Sequence, residues 1–164
     1  MDNMYEISQL VVYAGQGVCR IADVEQRIVN RKEISYYVLQ PLAQPGADYY
    51  VPCHNPAATA KMRPLLTKAE IQNALEVEPS NEDWIPDENR RKQYYRQLSS
   101  GSDLAAIVRM VRYLNRHRDQ LREAGRKLHM CDENFLREAE HMLMKELSIV
   151  LQIPESDIPA LIRK

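Results

Sequence analysis

The chain has 164 residues, with 22 Lys and Arg against 23 Asp and Glu and a formal net charge of −1, so total charge excludes neither nucleic acid nor an acidic protein as a partner. Its three cysteines, Cys19, Cys53 and Cys131, have no paired spacing, which argues against a disulfide framework and for a reducing compartment. No run approaches the roughly 18 apolar residues of a membrane span, and the acidic start Met1-Asp2-Asn3-Met4-Tyr5-Glu6 lacks the apolar core of a signal peptide; a cytoplasmic protein is expected.

The first 66 residues read as strands. Leu10–Tyr13 and Val18–Ile28 are β-rich runs joined at Ala14-Gly15-Gln16-Gly17, where glycine supplies the positive φ of a hairpin turn. Asn30-Arg31-Lys32 is the next turn. Ile34–Gln40 is a strand of β-branched and aromatic residues ended by Pro41. Pro45-Gly46 is a turn dipeptide. Ala47–Val51 is the fourth strand, with Pro52 arguing against an interior place in the sheet, and Met62–Leu66 is the fifth. Five strands in so short a segment predict a small, bent barrel of Tudor- or SH3-like type rather than a sandwich.

The pattern then turns helical. Thr67-Lys68-Ala69-Glu70 is a capping box opening a short helix to about Leu75. Residues 76–87, with Pro79 and Pro86, read as a linker, and residues 76–88 hold six acidic side chains and no basic one. A helix from about Glu88 to Leu98 breaks at Ser99-Ser100-Gly101, and Ser102 or Asp103 caps the next. In that helix Leu104, Ile107, Val108, Val111 and Leu114 form one buried stripe, and Arg109, Arg112 and Arg116 lie off it. Gly125 breaks the loop that follows. Asp132 is expected to cap a long helix with a buried face of Phe135, Leu136, Ala139, Met142, Leu143 and Leu147. Pro154 ends it, and Ser156–Ile162 forms a last short helix. The expected fold is α+β: a barrel over 1–66, a short helix and acidic linker over 67–87, and a helical domain over 88–164. Residues 90–127 hold eleven Lys and Arg against three Asp and Glu. Screening confines a charge's field to about 8–10 Å, so this local excess matters more than the total.

Several of these segments together resemble the CarD (CdnL-type) family of bacterial transcription regulators. They are Val11-Val12-Tyr13 with Gly17, Ile21-Ala22-Asp23-Val24-Glu25-Gln26-Arg27, Tyr36-Tyr37-Val38-Leu39, Val51-Pro52, Met62-Arg63-Pro64, Trp84, Leu98-Ser99-Ser100-Gly101 and the closing Ala139–Leu147 helix. Their order and spacing carry the likeness, which runs over nearly the whole chain. The barrel is also similar to the RNA-polymerase-interacting domain of the transcription-repair coupling factor. The resemblance implies no catalysis, and a monomer without cofactor or metal is expected. Its barrel would dock on the β-subunit lobe of bacterial RNA polymerase. Its helical domain would contact promoter DNA at the upstream edge of the melted bubble. There a Trp would wedge into the minor groove and slow bubble collapse, stabilising the open complex.

Carried onto single residues, the resemblance makes Arg27 a polymerase contact, able to pair bidentately with a carboxylate; otherwise it is a solvated strand charge. The position before Val51-Pro52, often basic in the family, is Tyr50 here, an interface anchor in its place. The strand carrying Tyr49, Tyr50 and Val51 offers edge-to-edge pairing, with Tyr49 and Tyr50 on opposite faces. Trp84 either closes the helical core or acts as the wedge, and the resemblance favours the wedge. Unstacking a base step costs a few kcal/mol, much of it already met at a bubble edge.

Arg90, Arg91, Lys92 and Arg96 are the first candidates for phosphate contact, against the plainer reading of a solvated helix face. Asp87 and Glu88 just before them would repel phosphate unless they face away or sit in a helix first turn. Phosphate contacts position a protein without reading sequence, so weak, sequence-independent DNA binding is expected. Arg109, Arg112, Arg116, Arg126 and Lys127 are second candidates. Asp132-Glu133-Asn134 stands where the family is often basic, and no DNA role is carried there. His129, Cys131 and His141 match no zinc spacing, and neighbours Cys53 and His54 point apart on a strand, a poor nucleophile–base pair. Two rival readings are an interaction module with a different partner and an architectural DNA binder without a polymerase contact.

Overall fold

The computed structural model describes residues 4–99 and 103–163. The chain divides between Leu65 and Leu66 into a strand unit and a helical unit.

In the strand unit, β1 (Leu10–Tyr13), β2 (Gly17–Val29), β3 (Lys32–Pro41), β4 (Tyr49–Pro52) and β5 (Met62–Pro64) form one antiparallel sheet in the order β4-β3-β2-β1-β5. Gly15 and Gly17 hold φ of +83° and +73° around the first turn, as the hairpin reading requires. The β2–β3 turn is tighter than expected. Val29 pairs with Lys32, and Asn30 and Arg31 take φ of 51° and 65°, two consecutive left-handed residues whose twist suits a two-residue hairpin. Ala22 is the extra residue of a β-bulge, because the β2–β3 register slips between Ile21 and Asp23.

The expected barrel is corrected: the sheet is open, with β4 and β5 at its two ends. The reason lies in those strands. They have four and three residues and both end in proline, which has no N–H to give a closing ladder. Between them runs a short helix the sequence reading missed, α1 (Pro56–Thr59), capped by the Asn55 side chain on the Ala57 and Ala58 amides. One face of the sheet carries the unit's core of Tyr5, Val11, Cys19, Ile21, Tyr37, Leu39, Val51 and Met62.

The helical unit contains α2 (Lys68–Leu75), α3 (Glu88–Ser99), α4 (Leu104–Glu123), α5 (Met130–Leu151) and α6 (Ile158–Arg163), with single 3-10 turns at Asn81–Asp83 and Glu155–Asp157. The capping box forms: Thr67 Oγ1 accepts from the Glu70 amide and Glu70 Oε1 from the Thr67 amide, both at 3.1 Å. Asp103 caps α4 through the Ala106 amide at 3.1 Å; the rival cap Ser102 and the break at Ser100-Gly101 lie outside the described residues. Gly125, at φ +71°, ends α4 with bonds from its own amide to Arg122 O and from the Arg126 amide to Leu121 O.

The α4 stripe is buried throughout, and α2, α5 and α6 all pack against this helix. That wrapping is wider than one stripe, and it overturns the placement of Arg112 off the buried face: Arg112 is 5% exposed. Asp132 does not cap α5. His129 holds the cap position, and Asp132 is the third residue of the helix, buried. Among the described residues no helix is long and apolar enough to cross a membrane.

Candidate protein-binding and nucleic-acid surfaces

Strand alternation sorts the residues of the sheet. Val51 is buried and Tyr49 packs on the same core, its ring 6.1 Å from that of Tyr13. Tyr50 lies on the other face and is exposed. There the structure joins two residues predicted separately: the Arg27 guanidinium carbon sits 4.3 Å from the Tyr50 ring centroid. Arg27 Nη2 also donates to Glu25 Oε2 at 3.0 Å, and Tyr36 meets Tyr50 edge-on at 6.5 Å. Glu25 and Arg27 share a face because they are two apart on β2, and Tyr36 is the cross-strand partner of Glu25. The result is an exposed, rigidified guanidinium on an aromatic floor.

β4 is also an edge. In an antiparallel ladder, hydrogen-bonded and non-bonded pairs alternate. The Cys53 amide donates to Ser35 O at 2.9 Å, which sets the phase: Val51 and Tyr49 bond to β3, while Tyr50 turns its N–H and C=O to the open edge.

In the helical unit the centre of interest is Trp84, which directly follows the 3-10 turn. It packs against the helical core without being engulfed by it. Its ring stacks on Tyr113 (centroids 5.6 Å apart, 23° between planes) and contacts His117 at 4.8 Å. Tyr113 and His117 are one helical turn apart on α4 and meet each other at 5.8 Å. The Arg91 guanidinium carbon lies 4.3 Å from the indole centroid.

Arg91 is the largest correction among the phosphate candidates. It is 1% exposed and offers no face to a phosphate. Its Nε and Nη2 donate to Asp132 at 2.8 and 3.2 Å, and its Nη1 donates to Ile85 O and Pro86 O at 3.0 and 3.4 Å. Tyr95 completes the cluster by donating its hydroxyl to Asp132 Oδ1 at 2.6 Å. Burial drives the Tyr95 pKa far upward, with the Asp132 carboxylate adding to it, so the hydroxyl keeps its proton. Burial pulls the Arg91 pKa down, but its bonds to Asp132 outweigh this and the net shift is upward. The same buried carboxylate therefore ties α3 to α5 and, through Arg91, to the Trp84-Ile85-Pro86 segment. Tyr95, Tyr113, His117 and Asp132 were not picked out from the sequence as neighbours of Trp84. Only the i, i+4 spacing of Tyr113 and His117 could have flagged a pair.

The other cations divide. Arg90 and Arg96 are exposed on α3. Lys92 is exposed and lies 3.7 Å from Glu88. Arg90 is set apart from the Lys92–Arg96 row by helical spacing. Asp87 accepts from the Arg90 amide at 3.0 Å, so the acidic pair before the basic block serves the start of the helix. Arg109 pairs with Asp83 at 4.0 Å and Arg116 with Glu78 at 3.2 Å. Arg112 donates to Leu75 O and Val77 O at 2.7 and 2.8 Å and to Ile162 O and Leu161 O at 3.3 and 3.4 Å. It neutralises the carbonyl ends of α2 and α6 and takes no part in an outer surface. Arg126 and Lys127 join Arg118 and Arg122 around a shallow recess of about 570 Å³, opposed by Glu133.

No curated protein matches the chain. Two family models do: the CarD-like/TRCF RID domain over residues 5–66 and the CarD C-terminal domain over residues 70–163. The first ends within one residue of the division between the strand and helical units, and the second lies wholly in the helical unit. The chain belongs to the CarD family of RNA-polymerase-interacting transcription regulators.

Proposed function

We propose that this protein binds bacterial RNA polymerase through its sheet and promoter DNA through its helical unit, lengthening the life of the open complex. The sheet docks on the β-subunit lobe through Arg27 and Tyr50, with the open edge of β4 adding main-chain bonds. The partly buried Tyr49 and the buried Val51 support that edge from beneath. Trp84 inserts at the upstream edge of the melted bubble, and Arg90, Lys92 and Arg96 supply sequence-independent phosphate contact. No chemical step is involved.

The observation that carries this reading is the mounting of Trp84: a large apolar ring anchored on one helical core, braced by Tyr113, His117 and Arg91, and left partly open to solvent. A wedge needs that rigidity, because a loose ring would lose side-chain freedom on entering the duplex.

The test is a pair of variants. Arg27→Glu should abolish binding to purified polymerase and leave duplex binding unchanged. Trp84→Ala should bind polymerase normally and shorten the open-complex lifetime in a competitor-challenge assay. Polymerase binding by Arg27→Glu at wild-type affinity would remove the sheet from the interface.

A further inference from the structure

We infer that Arg91 is a positioning residue for Trp84: its guanidinium, fixed by Asp132 and by the Ile85 and Pro86 carbonyls, sets the tilt at which the indole meets DNA. This rests on the wedge reading and goes beyond it, because it takes Arg91 out of the phosphate-binding set and gives it a different task.

The geometry supports this in three ways. First, Arg91 is 1% exposed, so its charge does not reach solvent. Second, its donors are spent on the segment that carries Trp84 and on α5: Nη1 on Ile85 O and Pro86 O, Nε and Nη2 on Asp132. A guanidinium so held has one orientation. Third, that oriented plane lies 4.3 Å from the indole centroid, where a cation on the ring face is attracted by its quadrupole. Tyr95 adds a bond from α3 to the same carboxylate. Trp84 is thus held by contacts with α4 and by a plane whose own position is fixed from α3 and α5. Lysine could keep the charge but not the fork or the plane, and a functional side chain is only as precise as the groups that lock it.

The chain has one Trp, so its emission reports on this site alone. In Arg91→Lys we expect a cooperative melting transition at a lowered midpoint, since the ammonium cannot remake every bond of the fork, with unchanged affinity and salt dependence on duplex DNA and unchanged polymerase binding. Acrylamide quenching of Trp84 should rise. The open-complex lifetime should fall about fivefold, equivalent to about 1 kcal/mol. Adding Arg91→Lys to Trp84→Ala should shorten it no further. If Arg91→Lys fails to fold, Tyr95→Phe, which removes one bond to Asp132 and leaves every hydrogen bond of Arg91 in place, takes its place in the same measurements. A wild-type lifetime in the substituted protein, with Trp84→Ala short-lived, overturns the inference and spares the wedge. An equal further loss in the Trp84→Ala background also overturns it, since Arg91 would then act on its own. A normal lifetime in Trp84→Ala removes the wedge reading and the inference with it.

Discussion

Asp132→Ala is the sharpest test of how the helical unit is built. Asp132 is 1% exposed and accepts from Arg91 Nε, Arg91 Nη2 and Tyr95 Oη at 2.8, 3.2 and 2.6 Å. Truncating it leaves a buried guanidinium without its counter-charge, which costs about 3–5 kcal/mol. The Tyr95 hydroxyl loses its acceptor at the same time, a further penalty of about 1–3 kcal/mol on its own. The two losses share one network and do not add in full, so about 4 kcal/mol is expected. For a unit of this size each kcal/mol moves the midpoint by about 4–8 °C, giving a fall of roughly 15–30 °C in a thermal melt followed by far-UV circular dichroism. The paired variant Arg91→Met with Asp132→Leu removes both charges and should recover most of that loss, because replacing a whole buried ion pair by apolar groups is often neutral. Less than about 1 kcal/mol lost in Asp132→Ala, the range of exposed ion pairs, would refute the claim that this carboxylate is the unit's buried counter-charge.

Arg112→Met should lower stability by about 2–4 kcal/mol, since buried carbonyls at the ends of α2 and α6 lose their donors. Its DNA binding should keep the wild-type salt dependence, and a reduced slope would return Arg112 to the phosphate-contact set. Arg90→Ala and Arg96→Ala should each leave the melt within about 0.5 kcal/mol of wild type. Each should reduce the slope of log K against log salt on duplex DNA by about 0.9. An unchanged slope in both would make this face of α3 merely solvated.

Much of the scaffold was legible because the signals are short-range. Gly15 and Gly17 announce a turn, Pro52 an edge, and Thr67 with Glu70 a helix start. The stripe from Leu104 to Leu114 announces the buried face of α4. Each is decided within a turn of helix or a hairpin, by φ preference, capping or periodicity. The pairing of Arg27 with Tyr50 was half-legible. Both residues were picked out, but the cation–ring contact between them depends on the register of β2, β3 and β4 after the bulge at Ala22.

The sequence by itself determined the α+β order, the family, the turn at Gly15 and Gly17, the capping box at Thr67 and Glu70, and the concentration of positive charge after the acidic stretch. Only the tertiary structure decided that the sheet stays open and which arginines belong to the surface. Arg90 and Arg91 are neighbours of the same chemistry, yet one is exposed and the other 1% exposed. The difference is Asp132, 41 residues further on, and for Arg112 it is a set of carbonyls from α2 and α6. A guanidinium is buried only where its charge and donors are met. Those partners come together when the helices pack, at separations no local pattern spans.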